Sequence, residues 1–425
     1  MDLIKKNFYY LLIFSVSPVI GIISLVRNRQ IEILRIFLVL LFFLFGFNMD
    51  FQQILLNGAD IIRMVDIFKQ NIEHHNLNDY SVIYDVEKPL EIVFPFITYI
   101  VSFLTSDHRA FIGSLGLFYG FFYVNIMFYV LSKINISSKI VRFIFIANFI
   151  FLVHPYQFQA FRFWTATMIV VWAVLPFFFE GSPRRLVFLL LAFLLHNGMA
   201  IFIAILLVAT VVNIFIGKPV LKLLYYLHLV LFVVFFVTGK EDIPFVSSFV
   251  GGGGGSSIGE GVNSRASVYL AKDEDVEIVV QEKSWFLVLS GRTLRIAFFL
   301  LSIVYFSHLF KTSSYIPLKD KFMLFLCVVA DLIMNTEGYR FMVIGYMLFL
   351  AFSMVQMNFE EEKSRLIKLV FFLFLLNSFF HTVIEFRIFV EYLSVAIFIM
   401  PWFVLYFIEE HLSIYDLYKM LTGGA

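Results

Sequence analysis

Apolar stretches long enough to cross a lipid bilayer recur along almost the whole chain, and nothing else restricts its fold as sharply. A hydrocarbon core of about 30 Å takes roughly 20 helical residues, and backbone facing lipid must satisfy its hydrogen bonds internally. With 61% of residues hydrophobic and 15% charged, a water-soluble reading is excluded. One all-α, polytopic transmembrane domain over residues 1–425 is predicted. Its runs lie at roughly 8–26, 31–47, 91–104, 110–131, 140–153, 163–179, 186–216, 219–237, 285–307, 320–334, 338–357, 366–381 and 388–407. Lys5 and Lys6 precede the first run without a small-residue cleavage site, which predicts a retained helix. The net charge of +1 gives no basis for nucleic-acid binding. Cys327 is the single cysteine, so an internal disulfide is excluded.

Lysines and arginines in short loops mark the cytoplasmic side. Such loops hold Arg27, Arg29 and Arg35; Lys133, Lys139 and Arg142; Arg184 and Arg185; Lys218 and Lys222; Lys311, Lys319 and Lys321; and Lys363, Arg365 and Lys368. Two loops on one side are separated by an even number of crossings. Residues 186–216 have cytoplasmic flanks at both ends, so they must enter and return, and His196, Asn197 and Gly198 form the turn. This predicts a broken helical hairpin whose turn lies deep in the outer half of the membrane, where non-helical backbone is tolerated if it lines a cavity. The same parity makes 91–104, which follows Pro89 and contains Pro95, a re-entrant or interfacial helix, and leaves about 13 crossings. Two polar segments then fall outside. Residues 48–90 are amphipathic and acidic, and residues 238–284 carry the glycine run 251–255, a flexible tether expected to serve as a lid. No internal repeat is evident, which argues against transporters built from duplicated halves.

Charge at the margin of an apolar run costs a few kcal/mol on insertion scales, so it usually faces a cavity or ligand. Arg162 in FQAFRFWTATMIVVWAV and His196 in LLLAFLLHNGMAIFIAILL are such charges. The topology places Arg162, His196 and Arg340 on the outer side, and these three are the predicted catalytic residues. His154, Tyr156 and Gln159 precede Arg162, while Asp331, Asn335, Glu337 and Tyr339 precede Arg340. With Asn197, Asp60 and Arg63 they form the predicted substrate-binding set. Asp331 and Asn335, four apart, share a helix face. Two guanidiniums match pyrophosphate oxygens in bidentate fashion, and a histidine suits proton removal from a sugar hydroxyl.

Each residue also has a plainer reading. A histidine at a helix break packs or snorkels, and an arginine at a helix end anchors at the interface. Asp60 and Arg63, one turn apart, read as a local ion pair. His74 and His75, with Glu73 and Asp79, read as a solvated face rather than a metal site. Asp273 and Asp275 form an Asp-x-Asp in a charged loop without a nucleotide-binding fold. No P-loop, zinc motif or Gly-x-Ser-x-Gly occurs, so neither a metal nor a cofactor is predicted.

Four stretches resemble the EpsG-like and Wzy-type polysaccharide polymerases of bacterial capsule, exopolysaccharide and O-antigen synthesis. GADIIRMVDIF at 58–68 is similar to the family's Asp-containing segment, and EKPLEIVFPFITYI at 87–100 to its Glu-Pro-Leu segment, here interrupted by Lys88. FRFWTATMIVVWAV and LLLAFLLHNGMAI resemble its Arg-Gln-x-x-Ala and Ala-x-x-x-His helices, with departures at Phe163 and Thr165, and EGYRFMVIGYMLF resembles its late arginine helix. The resemblance implies a GT-C-like multi-pass bundle in the bacterial inner (cytoplasmic) membrane. The implied reaction moves a growing glycan from undecaprenyl pyrophosphate to a new lipid-linked repeat unit at the outer face. It also implies membrane lipid, a chain-length regulator and a flippase as partners, Arg162 and Arg340 as pyrophosphate holders, and His196 as base or orienter.

Three rivals remain at the level of sequence. An O-antigen ligase-like glycosyltransferase shares the donor and differs in acceptor. A flippase or transporter for lipid-linked oligosaccharide predicts pseudo-symmetric halves and charge lining a path on both sides. A membrane acyltransferase explains an intramembrane histidine but accounts less directly for paired outer arginines.

Overall fold

The computed structural model describes residues 2–49, 60–77, 91–134, 139–238, 285–312, 316–332 and 338–356, with scattered positions beyond 371. Among these residues every named element is a helix, and the one β feature is an isolated bridge between Ser394 and Ser413. The first part of the chain forms α1 (Asp2–Val16), α2 (Pro18–Arg27), α3 (Ile31–Phe47), α4 (Asp60–Leu77), α5 (Val93–Leu104), α6 (His108–Lys133) and α7 (Lys139–Leu152). Then follow α8 (Phe161–Glu180), α9 (Phe188–Leu195), α10 (Ala200–Phe215), α11 (Lys218–Thr238), α12 (Trp285–Thr312), α13 (Leu318–Leu332) and α14 (Gly338–Gln356). Short 3-10 turns occupy Pro155–Ala160, Pro183–Val187 and Asn197–Met199. The glycine tether with Asp273 and Asp275 lies outside the described residues, as do Asp79, Glu87 and most of the runs expected at 366–381 and 388–407.

The chain packs as two compact units. The first comprises Met1–Lys133, His154–Met199 and Val383–Ala425, and the second Ile134–Val153 and Ala200–Thr382.

In the first unit, the single helix expected over 8–26 is broken at Ser17. Its side chain accepts the Ile20 N–H at 3.4 Å, and Pro18, which has no N–H to lose, starts α2. The amphipathic segment forms α4, with Ile61, Met64, Val65 and Phe68 buried at helical spacing and Arg63, Asp66, Lys69 and Glu73 exposed. Phe68 stacks on Phe111 of α6 at 4.4 Å. The closest helix pairing is α3 against α6, because glycines let the two backbones touch. A Cβ at Gly116 would stand 2.3 Å from the Phe42 carbonyl oxygen, one at Gly46 2.5 Å from that of Ile112, and one at Gly120 2.5 Å from the Phe42 ring. Gly116 and Gly120 are four apart, the small-residue spacing that permits close crossings.

Helix α8 is apolar all round and buried along most of its length, as expected of a helix at the centre of a packed unit. It closes at Gly181, whose φ of +68° suits a residue without Cβ, with the Gly181 N–H donating to Phe177 O and the Ser182 N–H to Pro176 O. Its 20 residues span about 30 Å. At the C-terminal end, Glu180 meets Lys133 at 2.7 Å, and Arg185 lies over the Trp172 ring at 4.4 Å. A turn of five residues and α9 of eight then climb roughly 22 Å back along α8.

The second unit is organised around α13, which packs on α10, α11 and α14. Lys321 donates to the carbonyls of Asn213 and Ile216 at 3.1 and 3.3 Å, satisfying groups left open at the end of α10. Tyr305 on α12 donates to Asp320 at 2.5 Å. Aromatic rings of Phe298, Phe306, Tyr346 and Phe349 fill the space between α12 and α14.

Two helical stretches among the described residues, His108–Lys133 and Gln157–Glu180, are long and apolar enough to cross a membrane by length and composition. The helix in the run 91–104, α5 at Val93–Leu104, is 12 residues long, about 18 Å, and falls short of a full crossing.

Candidate active site

Three interruptions of helical order in the first unit bring three ionisable side chains together. Glu91 lies two residues before α5, Arg162 is the second residue of α8, and His196 ends α9 in extended conformation, with φ −154° and ψ 111°. α9 packs on both α5 and α8, so these ends meet.

Glu91 is the hub. Its carboxylate is 2% exposed, with Arg162 Nη1 donating to Oε2 at 3.0 Å. The other oxygen, Oε1, accepts the Asn197 backbone N–H at 3.3 Å and stands 3.3 Å from His196 Nδ1. A buried carboxylate without such partners would cost several kcal/mol, so the three groups depend on one another. Two rings flank the partners of Glu91. The Arg162 guanidinium lies 5.9 Å from the centre of the Phe94 ring, and Phe163 meets the His196 imidazole edge-on at 5.4 Å and 83°. Phe163, a departure from the resembled motif, therefore sets the plane of the histidine.

The arrangement determines what the histidine can do. A carboxylate facing Nδ1 holds the ring hydrogen there, which leaves Nε2 with the lone pair and makes it the basic nitrogen. Arg162 meets the other carboxylate oxygen with a charge-assisted hydrogen bond. Asn197 Oδ1, on the residue after His196, and Gln159 Nε2, three residues before Arg162, are buried and have no hydrogen-bond partner among the described residues. Buried polar atoms of that kind suit a polar ligand.

The remaining predicted site residues divide. His154, buried at the entrance to the 3-10 turn, accepts a bond from Tyr119 through its backbone carbonyl at 3.4 Å. Tyr156 belongs to that turn and Asp60 to the first turn of α4, but their side chains lie outside the described residues, as do those of His74 and His75. Arg63 is exposed on α4. Arg340 and Tyr339 sit in the first turn of α14 in the second unit, with side chains outside the described residues; Asn335 and Glu337 lie outside altogether. Asp331 is fully buried on α13 and bonded to His228.

Two residues of consequence carry no sequence-based expectation. Glu91 stands immediately before the apolar run IVFPFITYI, the same marginal position that singled out Arg162, but it follows an acidic stretch and merges with it. His228 is a lone histidine inside KLLYYLHLVLF, a pattern that reads as packing. Among the described residues, no cluster of histidine, cysteine, aspartate and glutamate has the makings of a metal site.

Comparison with protein-family models, with curated proteins and with solved structures returns no match to this chain.

Proposed function

We propose that the chain is a multi-pass membrane glycosyltransferase of the polysaccharide-polymerase type, with about 13 crossings, in the bacterial inner membrane. It moves a growing glycan from undecaprenyl pyrophosphate to a new lipid-linked repeat unit at the outer face. The observation that carries this reading is the buried Glu91 carboxylate joining Arg162 to His196 at the end of an apolar helix. Glycosyl transfer between lipid-linked sugars needs a base for the acceptor hydroxyl and fixed positive charge near the departing pyrophosphate. His196 Nε2 takes the hydroxyl proton, the freed oxygen bonds to the anomeric carbon, and the bond from that carbon to the pyrophosphate oxygen breaks. Arg162 stabilises the charge that develops on the leaving group.

Position supports the same reading. Arg162 and the Lys133, Glu180 and Arg185 group lie at opposite ends of α8, about one bilayer thickness apart, so a cytoplasmic Arg185 puts Arg162 at the outer face. Large apolar side chains such as Phe8, Ile20, Ile23 and Ile36 in the first unit, and Leu223 and Val230 in the second, are exposed, as lipid-facing surface requires.

The test is glycan laddering in cells lacking the native gene and complemented with wild type, Arg162→Ala, His196→Ala or Arg340→Ala, with protein amounts matched. His196→Ala and Arg162→Ala are expected to leave only single-repeat glycan on the surface. Full-length polymer with both variants contradicts the assignment, and loss of all surface glycan places the step in flipping instead. Arg340→Ala tests the second unit independently.

A further inference from the structure

A second buried network lies in the second unit, and the mechanism above does not use it. His228 on α11 stands between Asp331 on α13 and Ser302 on α12. Nδ1 is 2.6 Å from Asp331 Oδ2, and Nε2 is 2.8 Å from Ser302 Oγ. All three residues are 0% exposed. Ser302 also donates to the Phe299 carbonyl at 2.7 Å, and Asp331 Oδ1 is buried without a hydrogen-bond partner among the described residues.

Hydrogen counting decides what this arrangement holds. A serine hydroxyl has one hydrogen, and a carbonyl oxygen can only accept, so that hydrogen lies on the Phe299 contact. The bond to Ser302 Oγ must then be donated by His228 Nε2. The short Nδ1–Oδ2 contact needs one more hydrogen between the two atoms. The pair therefore carries one proton beyond a neutral imidazole and an ionised carboxylate, and is neutral overall, the condition in which a fully buried pair is best tolerated.

We propose that the second unit contains a buried proton-binding site in which His228 and Asp331 share one exchangeable proton and the Ser302 hydroxyl is its gate. In the unloaded form Asp331 is a carboxylate, Nδ1 donates to it, and Nε2 accepts the Ser302 hydroxyl. On loading, the hydroxyl turns to the Phe299 carbonyl, the incoming proton bonds to Nε2, and Nε2–H donates to Ser302 Oγ. One N–H bond forms, and no electron is transferred. The titratable side chains on the same faces are Cys327, one turn before Asp331; Tyr225 on α11, bonded to Ser307; Arg295 and Tyr305 on α12, the latter bonded to Asp320; and Tyr346 on α14. α10 contributes none. The same trio has the order of a nucleophilic triad, but a serine with no exposed surface favours a sealed proton site over an attacking group.

The test is solid-state NMR of the full-length protein in lipid bilayers, with 15N-histidine and 13C-aspartate labels. His228 is assigned by its dipolar coupling to an aspartate carboxyl, because the other described histidine–aspartate contact, His108 to Asp107, is 4.0 Å rather than 2.6 Å. From about pH 5 to about pH 10, both His228 ring nitrogens are expected to carry hydrogen at the acid end and only one at the alkaline end. Asp331→Asn should abolish that change, and the wild-type titration decides the matter where this variant fails to fold. A His228 spectrum that is the same at every pH overturns the proposal. So does labelling of Ser302 by a fluorophosphonate, which would reveal an accessible nucleophile.

Discussion

Replacing Glu91 with glutamine is expected to leave the protein folded and to slow the proposed glycan transfer by about 10²- to 10⁴-fold, the usual contribution of a positioned general base. The amide oxygen still accepts from Arg162, so the buried contact at 3.0 Å keeps a partner. The amide NH₂ then faces His196 Nδ1 and turns that nitrogen into an acceptor, while the Asn197 N–H, which Oε1 had accepted, loses its partner at a cost of about 1–3 kcal/mol. The ring hydrogen moves to Nε2, and the base is lost without any change in shape. Arg162→Ala behaves differently, because it strands a carboxylate that is 2% exposed. It should cost about 3–5 kcal/mol of stability in addition to activity. Adding Glu91→Gln to Arg162→Ala should restore most of that stability and none of the activity, as read from thermal unfolding in detergent beside a transfer assay. A double variant no more stable than Arg162→Ala would show that the two groups do not depend on each other.

The second large effect is structural. Gly116→Leu is expected to abolish accumulation of folded protein, because even its first side-chain carbon would meet the Phe42 carbonyl oxygen at 2.3 Å. The obstacle is backbone, so α3 must move away from α6, and the Gly46 and Gly120 contacts open with it. Gly116→Ala should cost about 1–3 kcal/mol by the same overpacking. Gly217→Ala is the control, since the nearest atom there is Pro219 Cδ at an ordinary 3.6 Å. Yield and melting temperature in detergent should fall in the order wild type, Gly217→Ala, Gly116→Ala, Gly116→Leu, with the first two nearly equal. A Gly116→Leu protein that melts with wild type contradicts the described crossing.

Much of the architecture was legible because apolar length and helix punctuation act locally. The helical class follows from composition, and the interruption at His196 falls on an Asn-Gly pair that disfavours helix. The break at Ser17 had an equally local signal in Ser-Pro, masked by the apolar residues on both sides. Gly113, Gly116 and Gly120 stand at three- and four-residue spacing, but their partner Gly46 lies some 70 residues away in α3 and only packing reveals it. The site divides along the same line. Arg162 and His196 announce themselves as charges at apolar margins, while the carboxylate that links them is separated from Arg162 by 71 residues. Asp331 is a further instance: its described partner, His228, lies 103 residues earlier, out of reach of helical spacing.

The most direct test of the proposed chemistry uses purified full-length protein in nanodiscs and lipid-linked repeat units extracted from cells that lack this gene. Products are resolved by mass spectrometry after one turnover and after many. Wild type is expected to join two repeat units and then more, with release of undecaprenyl pyrophosphate, while Glu91→Gln binds the same lipid and joins them about 10²- to 10⁴-fold more slowly. Wild-type protein that leaves every repeat unit single, or a Glu91→Gln variant that elongates at the wild-type rate, would contradict the proposed chemistry.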